Sequence, residues 1–234
     1  RLFSDKSQLL HLKRGIYRLD NTIVKNILGI GISPFAMNAT ACLVAIFVNQ
    51  RLLEYGGDLA VGAYGIANRV AFIFIMINFG VNQGMQPIAG YNYGAQNYDR
   101  LMRVLKLAMI AGTCITTSGF IVAEFIPHLC VRLFTSDSEL TELSVNGLRI
   151  MMAAMPIVGY QMIVTNFFQS IGKAKISIFL SLSRQLLFLV PLIGVMPLFF
   201  GVNGVWVAMP ISDSFSAIFA LVMMVRYMRV FKKR

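Results

Sequence analysis

The sequence predicts an all-α membrane protein: a polytopic bundle of six transmembrane helices with both termini cytoplasmic. Three observations carry this. First, 57% of the 234 residues are hydrophobic and only 13% charged, whereas an ordinary soluble domain carries about 25% charged residues. Second, mean hydropathy is +0.69, and apolar residues gather in stretches long enough for a hydrocarbon core, which takes about 20 residues of helix. Third, the formal charge of +11 is unevenly spread between those stretches. Together these exclude intrinsic disorder and a disulfide-built secreted fold. A basic excess raises the question of nucleic acid, and its position between apolar spans answers with a lipid bilayer instead.

The opening residues are polar and basic, start at Arg1 instead of Met, and contain no short apolar segment with a small-residue cleavage site. No signal peptide is therefore expected, and the sequence reads as a piece of a longer protein. Residues 1–25 form a cytoplasmic linker. Within it, Leu9–Leu19 mixes Leu and Ile with Lys13, Arg14 and Arg18, which fits either a short amphipathic helix on anionic lipid or a solvated linker. The membrane bundle occupies 26–230. Its spans are Ile27–Asn49, Leu59–Gln83, Leu101–Ile126, Val145–Ser170, Ile176–Phe200 and Val202–Arg226, each apolar on all sides, as suits a helix among lipid or other helices. Residues 231–234 are a basic cytoplasmic tail.

Alternate connections share a side of the membrane. One side collects Lys13, Arg14, Arg18, Lys25, Arg100, Arg103, Lys106, Lys173, Lys175 and the basic C-terminus. The other holds Arg51, Arg132 and Arg149 against Glu54, Asp58, Asp137, Glu139 and Glu142. Lys and Arg concentrate in cytoplasmic loops, so a multi-pass protein of the inner (cytoplasmic) membrane is expected. The three cysteines, Cys42, Cys114 and Cys130, have no CxxC spacing and read as buried small hydrophobes.

Polar groups inside spans are the informative ones, because each needs an internal partner or a water-filled cavity. Asn68 and Arg69 lie near the middle of the second span, Arg184 in the fifth, and Asp213 in the sixth. All three ionisable groups fall within one or two turns of mid-membrane, so Asp213 is expected to pair with Arg184 or Arg69, as helix glue or as transport machinery. Asn38, Gln83, Tyr160, Gln161 and Asn166 add further polar groups, and Met155, in the cluster Met151, Met152 and Met155, adds an adaptable apolar one. These are candidates for lining a cavity, with helix packing as the alternative for the methionines. Pro34, Pro156, Pro191, Pro197 and Pro210 should kink their helices. Enzymatic constellations are absent: His11 and His128 match no metal spacing, and there is no GxSxG or Walker loop. No catalytic residue, metal or cofactor is expected.

One segment is more specific. Asn82-Gln83-Gly84-Met85-Gln86-Pro87-Ile88-Ala89-Gly90-Tyr91-Asn92-Tyr93-Gly94-Ala95 closely resembles the motif of multidrug and toxic compound extrusion (MATE) transporters at the cytoplasmic end of the second helix of their C-terminal bundle. Gln83, Gly84, Pro87, Gly90, Tyr91, Tyr93 and Gly94 carry the likeness. Ile30–Phe35, Leu133–Thr135, Phe168–Lys173, Ser183–Gln185, Gly204–Trp206 and Pro210–Asp213 follow that bundle's order. The resemblance covers essentially the whole chain. It implies the C-terminal six-helix half of a twelve-helix transporter, whose partner is the missing N-terminal six-helix half and whose substrates are small cationic or amphipathic compounds. It further implies exchange for protons or sodium by alternating access. Some members place coupling carboxylates in the first and fourth helices of this bundle; those spans here contain no Asp or Glu, so the coupling ion, H+ or Na+, is not assigned. Two other readings stay open: a flippase for lipid-linked precursors, whose anionic substrate would want an exposed cationic cavity, and a non-transporting membrane remnant.

Overall fold

The computed structural model describes residues 20–231. The stretch Leu9–Leu19 and the tail residues 232–234 lie outside the described residues. The chain separates into two units, 1–38 and 39–234. In the first, Asp20 caps a helix, its carboxylate accepting from Thr22 N at 2.8 Å and so satisfying an amide that has no partner within the helix.

All regular structure among the described residues is helical. Helix α1 runs Asn21–Gly94, α2 Tyr98–Phe125, α3 Pro127–Arg132, α4 Ser138–Met152, α5 Met155–Ser170 and α6 Ala174–Leu182. A π-helical segment, Ser183–Leu189, leads into α7, Val190–Phe200, and α8 is Val202–Phe231. Four helices, the first taken as Met37–Gly94, are long and apolar enough to cross a membrane, or five if the bent pair α4 and α5 is one span. The surface fits that reading, since only 17–33% of each most apolar window is buried within the protein. Leu107, Ile110, Leu198 and Phe199 are all more than 60% exposed, which water would penalise and lipid does not.

Three breaks shape the unit 39–234, and each has a local cause. Gly57 has φ 65° and ψ −166°, a backbone region open essentially to glycine alone. Residues 41–48 before it and 64–79 after it wall the same cavity, although a straight helix would separate Val44 from Ala71 by about 40 Å. Within this unit the residues of α1 on either side of Gly57 therefore lie side by side. The fourth expected span, Val145–Ser170, is not one helix: α4 and α5 are bent by 51° across Ala153–Ala154. Pro156 sits in the first turn of α5, where its missing N–H costs nothing, whereas in a continuous helix its ring would strike the Met152 carbonyl. The fifth span opens into the π-helical segment just before Pro191, with Val190 N–H donating to the Gln185 carbonyl. Pro191 has no N–H for an ordinary helical bond, and the turn ahead of it widens by one residue.

Two cores stand at opposite ends of this unit. One gathers Leu52, Ala60, Val131, Leu148, Val205 and Trp206. Trp206 is 1% exposed, lies over the bare Gly147 Cα and meets the Tyr64 ring at 6.0 Å between centroids. The other gathers Ala89, Leu101, Leu105, Phe167, Phe168 and Leu180, with Phe168 edge-on to Tyr227 at 5.2 Å. Between them α2 and α5 cross closely, because a Cβ on Gly159 would overlap Thr116 and the Gly112 backbone. Cys42 and Cys114 are exposed and Cys130 partly so. The expected burial of Cys42 and Cys114 is thus corrected, as they sit on outward apolar faces beside Leu43 and Ile110.

Candidate functional site

The three breaks open a cavity of about 480 Å³. The arms of α1 supply Val44, Val48, Tyr64, Asn68, Phe72 and Phe79; α4 and α5 supply Met151, Met155 and Met162; α8 supplies Met209 and Asp213. The π-helical segment contributes Arg184 and Gln185. Most of the wall is apolar, and the unbranched methionines can adapt to ligands of different shape. A volume in this range suits a drug-sized molecule.

The charged residues lining the cavity meet as a pair. Arg184 Nη1 lies 3.3 Å from Asp213 Oδ1, with side chains 33% and 18% exposed. One turn of α8 ties the same residue twice, since the neighbouring Ser212 Oγ donates to the Arg184 backbone carbonyl at 2.8 Å. The widened turn thus carries both the guanidinium that faces Asp213 and the carbonyl that holds Ser212. The choice between Arg184 and Arg69 as partner of Asp213 falls to Arg184. Arg69 itself is exposed and does not line the cavity. Tyr64, Asn68, Phe72, Ile75 and Phe79 form one helical stripe, and Arg69 lies a quarter turn off it.

Other expected lining residues are placed elsewhere. Gln161 is 3% exposed and donates to Ser216 Oγ at 2.5 Å, joining α5 to α8. Asn166 donates to the Met162 carbonyl at 2.9 Å and accepts from Gln86 at 3.5 Å, joining α5 to α1. Tyr160 packs against the second core. Gln83 and Asn38 are exposed. Each of these polar side chains was expected from its presence in a span. What decides its role is the helix face, which span membership does not specify.

Of the motif residues, Gly90 lies close against the Ser170 carbonyl, Tyr93 packs on the second core, and Gln83, Gly84, Pro87, Tyr91 and Gly94 are exposed. The motif therefore closes the end of α1 against α5, away from the cavity. Sequence reasoning missed Tyr64, Met162 and Met209 as cavity residues. A signal for Met162 existed: Met155 and Met162 are seven residues apart, two turns on one face. Glu124, near Arg149 at 3.9 Å, belongs to the far end of α2. Among the described residues no group of three or more His, Cys, Asp or Glu side chains comes together.

Comparison with known proteins places this architecture. The MatE family model matches residues 30–193. Multidrug export protein MepA of Staphylococcus aureus strain N315 is 25% identical over 219 residues, covering 94% of this chain and 48% of the relative. The Staphylococcus haemolyticus MepA is 24% identical over the same share. A solved structure of the MATE multidrug transporter DinF-BH superimposes with a TM-score of 0.81 at 35% identity, over 95% of this chain and 50% of that one. A MATE crystal structure in complex with MaL6, at 20% identity, shares the fold with a TM-score of 0.87 over the whole of this chain and 53% of its own. The chain spans about half the length of the curated relatives it matches. With the family model covering well over half of its residues, the chain belongs to the MATE family of membrane transporters.

Proposed function

We propose that this chain is the C-terminal six-helix half of a secondary active efflux antiporter that exports cationic or amphipathic compounds in exchange for protons or sodium. Counting the two arms of α1 separately and α4 with α5 as one pass gives six crossings. The basic residues Arg100, Arg103, Lys106, Lys173, Lys175 and Arg226 then share one side with both termini, the cytoplasmic side of an inner membrane. The observation that carries the reading is the methionine- and aromatic-lined cavity of about 480 Å³ within a chain of this family. Substrate would rest against that wall while this half and its companion rock about it in alternating access. Arg69, exposed at mid-span, supports a companion half. A central Arg facing lipid costs about 2.5–3.5 kcal/mol on insertion scales, and a covering helix bundle with a polar partner offsets that. The pairing of Arg184 with Asp213 argues against a flippase for anionic precursors, because the cavity then presents no net positive charge.

The test is transport of ethidium into proteoliposomes holding this chain with the first six-helix half of its own transporter, under an imposed proton or sodium gradient. Gradient-dependent uptake that needs both halves is the expected result. Vesicles with both halves present that move no more dye than empty ones would overturn the proposal.

A further inference from the structure

We infer that Arg184 acts as a built-in stand-in for a cationic ligand, so that the Arg184–Asp213 pair sets which charge the cavity admits. The inference rests on the cavity proposed above as the substrate site and goes beyond it by assigning charge selectivity to two residues. Two features of the geometry point there.

The first is position. Arg184 and Asp213 both line the cavity and retain 33% and 18% of their side-chain exposure, so the pair is open to a ligand instead of sealed in a core. The second is looseness. Nη1 and Oδ1 are 3.3 Å apart, beyond the roughly 2.7–2.9 Å of a tight charge-assisted hydrogen bond. A guanidinium on a long side chain can therefore swing off the carboxylate while its backbone stays held by Ser212.

In the empty cavity the pair is neutral. A ligand bearing a protonated amine can replace Arg184 at Asp213, exchanging one cation for another at the carboxylate. An anionic ligand can instead draw Arg184 away, but it strands Asp213 in an apolar wall. The cavity thus prefers cations, and Arg184 holds that preference down.

The test is fluorescence titration of this chain, assembled in nanodiscs with the first six-helix half of its own transporter, with the cation ethidium and with the anion 8-anilinonaphthalene-1-sulfonate. Arg184→Gln should tighten ethidium about tenfold and weaken the anion. Asp213→Asn should weaken ethidium about tenfold and tighten the anion. The double variant, neutral again, should return both dyes close to the parent affinities, which a purely structural role for the pair would not produce. If the single variants weaken both dyes alike, or leave their ratio unchanged while the double variant stays folded, the inference is wrong. A parent chain that binds neither dye saturably would instead overturn the cavity as a substrate site, a separate failure.

Discussion

Replacing Gly57 by alanine should destabilise the protein through the backbone alone. With φ 65° and ψ −166°, this residue occupies a region where a Cβ is strained whatever surrounds it, at a cost of about 1–3 kcal/mol. No heavy atom lies within 4 Å of where that Cβ would be built, so crowding contributes nothing. The magnitude follows from dihedral strain only. For a chain of this size, about 2–4 °C of melting temperature is lost per kcal/mol, which gives a fall of about 2–12 °C. The assay is size-exclusion of detergent-solubilised protein after stepwise heating, with Gly65→Ala and Gly80→Ala as controls. Both control sites are helical with open space around the added Cβ, and there alanine should gain up to about 1 kcal/mol. If Gly57→Ala melted with the parent, or no lower than the two controls, the claim that a glycine-only turn folds α1 back on itself would be refuted.

Gly147→Val should be more damaging, because its Cβ would stand 2.5–2.7 Å from three atoms of the Trp206 indole, a rigid ring in a packed core; a loss of about 2–3 kcal/mol should show as a lower melting point and altered tryptophan emission. Met162→Ala should weaken ethidium binding about tenfold through lost apolar contact with only a small fall in melting point, since Met162 is half-buried on the cavity wall, whereas Met155→Ala, at a buried position of the first core, should also cost about 2–5 kcal/mol of stability. Pro191→Ala restores an amide at the widened turn, so the segment Ser183–Leu189 should tighten to an ordinary helix; a structure of this variant should show Arg184 and Asp213 more than about 4 Å apart, past the reach of an ion pair.

How much of this was legible in the sequence depended on the kind of signal. Apolar length is a property of whole segments, and it read correctly as a membrane bundle because lipid imposes it on every span at once. The resemblance around Asn82–Ala95 was likewise legible, since a long run of Gly, Pro, Gln and Tyr is specific. Individual faces were not. Asn68 and Arg69 look equally anomalous in a linear reading, yet one lines the cavity and the other stands on the outside, because about 100° of rotation separates neighbours on a helix. Gln161 and Asn166 reveal the same limit: each is polar and within a span, but they meet Ser216 and Gln86, partners 55 and 80 residues distant.

The backbone breaks explain why the site was legible only in part, with Asn68, Met155, Arg184 and Asp213 named but Tyr64, Met162 and Met209 missed. A regular helix keeps its face for its whole length, so a cavity wall built from regular helices could be followed by a fixed period. Here the period is reset at Gly57, at Ala153–Ala154 and at the π-helical turn before Pro191, and the cavity draws residues from around all three. The π-turn matters most, because one extra residue in the turn shifts register by about 100°. Counted on an ideal helix, the face carrying Leu189 does not continue to Arg184; in the widened turn both line the cavity. The prolines gave notice that kinks would occur but not which way each would turn its helix. Placement of Arg184 opposite Asp213 is therefore a product of Pro191, which acts through the backbone of the widened turn and carries no charge of its own.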